Sequence, residues 1–200
     1  MRTTIIKRLL AAAATGVLLA VSMLSAAGET YAEYKNTQAA AAPAVTDVSI
    51  AGGAFAAREG SDAAAVTGYA GAAEALYWKN GKGQVTAAFD CPQTGLYELR
   101  VSYCLPQSGV EPELGVQLDG AYPCEAFEAV VLPRAWQDRS AEVRTDEQGN
   151  ELSPEQTEVT GFITRTLTDH TGVETEPYRL YVTAGAHTLT LTGCGQELAL

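Results

Sequence analysis

The clearest pattern in this chain is a strict alternation of apolar and polar positions in short segments. In residues 97–103, Tyr97, Leu99, Val101 and Tyr103 share one face, with polar or charged residues between them. A period of two over seven residues, rich in aromatic and branched side chains, predicts a half-buried strand. The pattern predicts further strands at residues 84–91, 114–118, 127–132, 162–167, 178–182 and 187–194.

Other parts of the chain give weaker patterns. Residues 48–55 could form a first strand, interrupted by two glycines, and residues 56–76 predict loop or short irregular strands. A helix over residues 63–76 is the alternative, but Gly68 and Gly71 disfavour it. In the strand at 187–194, Leu189 and Leu191 are expected inward and the intervening threonines outward.

Many short strands without amphipathic helices between them predict an all-β protein. We expect a two-sheet antiparallel β-sandwich over residues 47–200. Residues 137–160 carry nine charged side chains and few large apolar ones, which predicts a long acidic loop.

The N-terminal segment has the composition of a secretory signal. Basic residues at the start and an apolar run over 9–27 predict a signal peptide over residues 1–32, cleaved after Ala27 or Ala32. The alternative is an uncleaved membrane anchor, since the run is near the length that spans a bilayer. Residues 33–46 are predicted to be a spacer, and no membrane insertion of the mature domain is expected.

The C-terminal residues 197–200 predict the beginning of a further strand. Leu198 and Leu200 alternate with Glu197 and Ala199, as in a half-buried strand. A strand that is cut short leaves an unpaired edge, which proteins generally avoid. We therefore expect the natural polypeptide to continue past Leu200, or the 200-residue chain to be less stable than an extended one.

The net charge argues against nucleic acid as a partner. Residues 1–32 hold three basic residues and one acidic residue, so the rest of the chain carries 13 − 3 = 10 basic against 24 − 1 = 23 acidic residues. Such a surface repels phosphate backbones.

Four cysteines in a secreted chain suggest two disulfides, with three possible pairings. Cys104 and Cys194 lie at strand ends on polar faces, so a Cys104–Cys194 bridge is natural if their strands are neighbours. Cys91–Cys124 would then remain. The alternative is that the four residues are free, partly buried thiols.

Signatures of catalysis and of structural zinc are missing from the sequence. There is no G-x-S-x-G elbow, P-loop, C-x-x-C pair or cysteine–histidine cluster. A hydrolase triad that uses His170 or His187 is conceivable, but His187 lies at a turn entering a strand, where a surface role is the better interpretation. We therefore expect a protein that is not an enzyme; a hydrolase with an unrecognised site is a minor alternative.

Aromatic residues near turns are the best binding candidates in the pattern. Tyr77 and Trp78 precede a turn containing Asn80, Trp136 adjoins the acidic segment, and Tyr178 follows Pro177. Exposed aromatic rings beside polar side chains can stack on sugar rings while amides and carboxylates bind the hydroxyls. The alternative is that Trp78, Trp136 and Tyr178 are core residues at sheet edges.

Several runs together resemble the galactose-binding-like jelly roll of carbohydrate-binding modules. These are QVTAAFDCPQTGLYELRVSY, VQLDG, AYPCEAFEAVVLPRAW and PYRLYVTAGAHTLTLTG, in this order. The resemblance covers about residues 48–200. The chain is still more similar to one subgroup, the N-terminal module of secreted Gram-positive sugar ABC transporter solute-binding proteins. Three motifs carry this closer resemblance: a Y-x-x-Y after the signal, the D-x-x-G-N from Asp146 to Asn150, and E-P-Y before the last hairpin.

This resemblance implies a secreted or cell-surface, non-catalytic module that binds carbohydrate or assists sugar uptake. Its implied partners are a carbohydrate ligand and a membrane sugar transporter, and Asp146 and Asn150 join the candidate binding residues. Family members with a calcium site have paired glutamates in the first strand, whereas residues 50–55 read IAGGAF. No cofactor is therefore expected, and a structural calcium ion is the alternative. The alternative function is a structural or adhesive surface domain that binds protein.

Overall fold

A computed structural model describes residues 28–58, 60–193 and 195–200. The basic start and apolar run of the predicted signal peptide, and Cys194, lie outside these residues. No helix in the described ranges is long and apolar enough to cross a membrane. The part of the chain that the structure describes contains sixteen strands: β1 Ala56–Ala57, β2 Ala63–Thr67, β3 Glu74–Trp78, β4 Gln84–Cys91, β5 Gly95–Glu98, β6 Arg100–Tyr103, β7 Glu113–Leu118, β8 Val130–Val131, β9 Trp136–Asp138, β10 Arg144–Thr145, β11 Glu151–Leu152, β12 Gln156–Glu158, β13 Ile163–Thr166, β14 Arg179–Val182, β15 Gly185–Gly193 and β16 Leu198–Ala199.

The first sheet is antiparallel and has the order β1-β4-β15-β7-β8. The long strand β15 lies at its centre, pairing Leu191 with Val85 of β4 and with Val116 of β7. The turn that follows β7 is formed by Asp119 and Gly120, between the paired residues Leu118 and Ala121; both turn residues have positive φ, as this two-residue turn requires. The period-two patterns at 84–91, 114–118 and 187–194 are thus confirmed as strands.

The second sheet is assembled around residues 95–103, where β5 and β6 run almost continuously. On one edge β14 pairs with β5 and β13 pairs with β6. On the other edge Cys104 exchanges both backbone hydrogen bonds with Ala199 of β16. Strand β16 pairs with β3, and β3 pairs with β2. The alternation predicted here is confirmed, since residues 98, 100 and 102 are exposed and those between them face inward.

The core lies between the two sheets. Its fully buried large side chains include Trp78, Tyr103, Phe127, Leu114 and Leu198. Burial of apolar surface by both sheets is the main stabilising contribution in such a sandwich. The predicted all-β, two-sheet antiparallel sandwich is confirmed.

A helix, α1 Tyr31–Thr37, occupies part of the predicted spacer and signal segment. Thr30 caps it, and Glu33 returns a hydrogen bond to the Thr30 backbone, which forms a capping box. Tyr31 and Tyr34 are buried, and their hydroxyls accept the N–H groups of Arg179 and Tyr181 at 2.9 and 2.8 Å. The helix therefore packs on the domain as part of it.

The predicted acidic loop is instead a hairpin arm. Strand β9 pairs with β12, β10 pairs with β11, and the Arg139 N–H bonds the Glu155 carbonyl between the two pairs. The arm spans Trp136 to Glu158, and its tip is the turn from Asp146 to Asn150. Alternating charged side chains conceal this β structure, because both faces of the outer arm are solvated.

Two further segments differ from the sequence pattern. Residues 48–55 form extended coil followed by a 3-10 turn, Gly52–Ala54, and residues 125–127 also form a 3-10 turn before β8. Thr190, expected outward, is 2% exposed, although Ala88 on the same face of the sheet is exposed. Its hydroxyl lies 2.9 Å from that of Thr86, which accepts a hydrogen bond from Arg58 Nε.

Candidate functional site

The seven predicted binding residues do not converge on one surface. Trp78 is fully buried at the end of β3, and its indole Nε1 donates to the Lys82 carbonyl at 2.8 Å. A side chain without solvent contact cannot stack on a sugar. The prediction of Trp78 as a binding residue is therefore wrong, and the core alternative holds for it.

Tyr178 is also a core residue. Its ring packs edge-on against Tyr31 at 4.8 Å between centroids and lies 5.5 Å from Phe127. Burial raises the pKa of its hydroxyl to about 12. The prediction that Tyr178 binds ligand is corrected: it anchors helix α1 to the sandwich.

Tyr77 and Asn80 have their polar groups engaged within the fold. The Tyr77 hydroxyl donates to Glu197 Oε1 at 2.9 Å. The backbone and side-chain amides of Asn80 donate to Asp62 Oδ2 at 2.9 and 2.7 Å, and Lys82 N donates to Asp62 Oδ1. Asp62 thus clamps the turn after β3, and Asn80 serves that turn.

Asp146 and Asn150 together form the tip of the arm. The Asp146 carboxylate accepts hydrogen bonds from the backbone and side-chain amides of Asn150, at 2.8 and 2.9 Å, and from Gln148 N. The Asn150 side chain and these backbone groups hold the pKa of Asp146 below its ordinary value. The D-x-x-G-N motif here closes a hairpin.

Trp136 is the candidate with an accessible ring. Its side chain is 56% exposed, and the residue lies at the base of the arm, directly across from Glu158. Asp138 and Gln156 form the next pair on the same face, and Gln156 Nε2 donates to Asp138 Oδ1 at 2.5 Å. An exposed indole next to a carboxylate–amide pair can bind a ring with one apolar face and several hydroxyls. We call Trp136, Asp138 and Gln156 the Trp136 surface.

A buried ion pair fixes the position of this surface. Arg134 NH1 lies 2.7 Å from Glu158 Oε2, and their side chains are 4% and 10% exposed. The guanidinium also donates hydrogen bonds to the carbonyls of Pro106 and Val110 and to the Ser108 hydroxyl. The other carboxylate oxygen, Glu158 Oε1, accepts a hydrogen bond from Gly109 N. Sequence patterns did not predict this network. The available signal was the D-x-x-G-N turn, because residues 136–138 and 156–158 flank it and pair as the two strands of a hairpin.

His187 and Asp119 make a contact that resembles part of a hydrolase triad. Asp119 Oδ2 lies 2.7 Å from His187 Nδ1, while Nε2 lies 2.8 Å from the Thr183 carbonyl. Burial alone would lower the pKa of His187, but the bonds to Asp119 and the Thr183 carbonyl raise it. Both ring nitrogens are engaged by groups of the fold, Nδ1 by Asp119 and Nε2 by Thr183. The contact therefore has a structural role: it joins β15 to the turn at Asp119.

The cysteines described are free and buried: Cys91, Cys104 and Cys124. Cys91 donates to Tyr97, and Cys104 donates to the Thr160 carbonyl. The strand that ends at Cys104 and the strand β15 before Cys194 belong to different sheets. The premise of the Cys104–Cys194 pairing is therefore wrong, and the Cys91–Cys124 bridge is not formed; Cys194 itself is outside the described residues.

Within the described ranges, no three histidine, cysteine, aspartate or glutamate side chains form a cluster that could hold a metal ion. A cavity with a volume of about 860 Å³ lies at the second sheet. We call it the interstrand groove. Its walls include residues 96–102 and segment 43–52, and its floor includes apolar residues of the first sheet: Phe89, Val116, Leu118, Leu189 and Leu191. Residues of β13 and β14 also line it: Thr164, Arg179, Leu180 and Val182.

No protein-family model and no curated protein matches this chain. Among solved structures, a Paenibacillus sp. cycloisomaltooligosaccharide glucanotransferase is similar, with a TM-score of 0.48 and 14% identity over 85% of this chain and 21% of that protein. A family GH115 4-O-methyl-α-glucuronidase has a TM-score of 0.38 and 19% identity over 80% of this chain and 18% of that protein. A Phanerochaete chrysosporium exo-β-1,3-galactanase has a TM-score of 0.37 and 13% identity over 76% of this chain and 29% of that protein. The chain thus spans less than a third of the length of each of these proteins.

Proposed function

We propose that this chain is a non-catalytic carbohydrate-binding module that holds sugar on the Trp136 surface. The observation that carries the proposal is the exposed indole of Trp136 beside the Asp138–Gln156 pair. The indole supplies an apolar plane for one face of a pyranose ring. The free oxygen of Asp138 and the amide oxygen of Gln156 accept hydrogen bonds from the hydroxyl groups at the ring's edge.

Preorganisation supports this assignment. The Arg134–Glu158 ion pair and its hydrogen bonds to residues 106–110 hold the base of the arm, so the indole loses little freedom when a ligand binds. An exposed aromatic side chain on a rigid strand is a better binding element than one on a mobile loop.

The charge of the arm points to a neutral class of glycan. Residues 137–160 carry seven acidic side chains and two arginines, 2 − 7 = −5. Such a field repels uronates and sulfated sugars, especially at low ionic strength. We therefore infer uncharged oligosaccharides or polysaccharides as the ligands.

The finer role that we propose is an accessory module of an extracellular sugar-uptake protein, with a membrane sugar transporter as its partner. The sequence resemblance supports this role, and the basic and apolar start of the chain supports export to the cell surface. Cleavage after Ala27 agrees with the position of helix α1, because cleavage after Ala32 would remove the buried Tyr31.

The test is binding of the purified domain to a panel of neutral and acidic polysaccharides, followed by titration with the best ligand. We expect Trp136→Ala to weaken binding at least about tenfold, and Trp136→Tyr to retain part of it. Val143→Ala, another exposed apolar residue of the arm, is the matched control and should bind as the unmodified chain does. Unchanged binding by Trp136→Ala would contradict the proposal.

A structural or adhesive role is the second candidate. Val143 and Leu152, which are also exposed, lie farther out on the same arm as Trp136. Exposed apolar side chains on one projecting element are typical of a contact for another protein. Substitution of Val143 and Leu152 by serine should abolish attachment to a protein partner under this alternative and leave glycan binding unchanged under the first proposal.

A further inference from the structure

One edge of the β5–β6 strand has backbone groups without strand partners. In antiparallel pairing, successive residues direct their N–H and C=O groups to alternate edges. Leu99 bonds Tyr178 and Leu167, so odd-numbered residues face β13 and β14. Leu96 and Cys104 face the other edge and bond residues 42–44 and Ala199 respectively.

Between these two contacts, Glu98, Arg100 and Ser102 face the same edge as Leu96 and Cys104. Among the described residues, no backbone group pairs with them there. The interstrand groove lies along this stretch, which is about 26 Å long from Leu96 to Cys104. A groove with a free strand edge on one wall and an apolar floor can accept an added β-strand.

We propose that the interstrand groove binds an extended peptide strand that pairs with Glu98, Arg100 and Ser102. The pairing of Ala199 with Cys104 is antiparallel. A strand that continues in line with β16 therefore places its first, third and fifth residues opposite Ser102, Arg100 and Glu98. This register commits us to one occupant: a strand joined to the carboxyl end of Leu200.

The side chains around the groove define the chemistry of this strand. Ser102 is exposed and Ala199 is buried, while Leu200, on the face to which the second and fourth added residues belong, lines the groove. The second and fourth added residues thus point toward the apolar floor and should be apolar. Glu98 is paired with Arg179, whereas Arg100 has no acidic partner among the described residues, so the third residue should be acidic.

The experiment adds Thr-Val-Glu-Val-Lys-Val directly after Leu200. We expect a higher Tm and amide hydrogen exchange at Glu98, Arg100 and Ser102 that slows at least about tenfold. The matched control places proline at the first, third and fifth added positions, which removes the N–H groups that would bond the edge. This control should leave the three amides exchanging as in the unextended chain.

Two further variants test the register. Arg100→Glu should remove most of the gain in Tm, and exchanging the added glutamate for lysine should restore it. The last comparison adds the same peptide as a separate molecule to the unextended chain. Slow exchange caused only by the free peptide would overturn the commitment to a joined strand. Slow exchange of the three amides in the unextended chain, or no response to any addition, would overturn the groove as a strand site. Neither result depends on Trp136, so the glycan-binding proposal is tested separately.

Discussion

The guanidinium of Arg134 and the carboxylate of Glu158 form an ion pair of 2.7 Å that joins the base of the arm to residues 106–110. Both side chains are almost fully buried, and their remaining polar atoms have hydrogen-bond partners. Loss of one member would leave the other as an unpaired charge in a site with little water. This pair therefore provides a sharp test of how the arm is held.

We expect Glu158→Ala to lower the free energy of unfolding by about 3 kcal/mol, since breaking a buried pair leaves an uncompensated charge. Arg139→Ala is the matched control, because Arg139 and Glu155 are 2.9 Å apart but both exposed. That change should cost less than about 1 kcal/mol. Equal losses by urea denaturation would show that the buried pair has no special role.

The two tryptophans should differ in their contribution to stability. Trp78→Ala removes a fully buried side chain and is expected to cost about 3–5 kcal/mol. Trp136→Ala removes an exposed one and should change stability by about 0.5 kcal/mol or less. Fluorescence of the single-tryptophan variants adds an independent check, with blue-shifted emission from Trp78 and red-shifted emission from Trp136. A large loss of stability in Trp136→Ala would mean that the ring is part of the core.

The contact between His187 and Asp119 should make stability depend on pH. The folded pKa of His187 is raised, so its contribution is present below its unfolded pKa of about 6.5 and is lost as the pH rises through the folded value. Asp119 has a lowered pKa, and its contribution is lost as the pH falls through that value. The difference in Tm between the unmodified chain and His187→Gln should be largest near pH 5–6 and smaller at pH 9. A difference that is constant over this range would rule out the ion pair.

The position of helix α1 predicts where an exported chain is cleaved. N-terminal sequencing of the mature protein should begin at Gly28, because this start retains the Thr30 cap and Tyr31. A chain that begins at residue 33 should be less stable, by about 2 kcal/mol or more, through loss of a buried aromatic side chain. A mature start at residue 33 with unchanged Tm would show that the helix is not needed.

Sequence patterns predicted those strands in which one face is buried and the other solvated, such as β4, β6 and β15. They failed where a different interaction decides the structure. Thr30 and Glu33 start α1 through side-chain hydrogen bonds that hydrophobic periodicity does not register. The arm has two solvated faces, so its pairing leaves no alternation to detect.

The candidate surface was predictable only in part. Trp136 was identified because an aromatic residue stands beside a charged segment, but the same reasoning wrongly included Trp78 and Tyr178. Exposure depends on what the rest of the chain packs against a residue, and β16 and α1 supply those contacts from more than 100 positions away in the sequence. The Asp138–Gln156 pair depends on a register that only the folded arm defines.

The hydroxyls of Tyr31 and Tyr34 occupy the outer edge of β14, where the N–H groups of Arg179 and Tyr181 would otherwise face solvent. A bare strand edge is a template on which a second molecule can add its own strand. The helix thus acts as a guard against aggregation as well as a packing element. Chains that lack it should form β-rich oligomers under conditions in which the intact domain remains monomeric, and the tendency should grow with protein concentration.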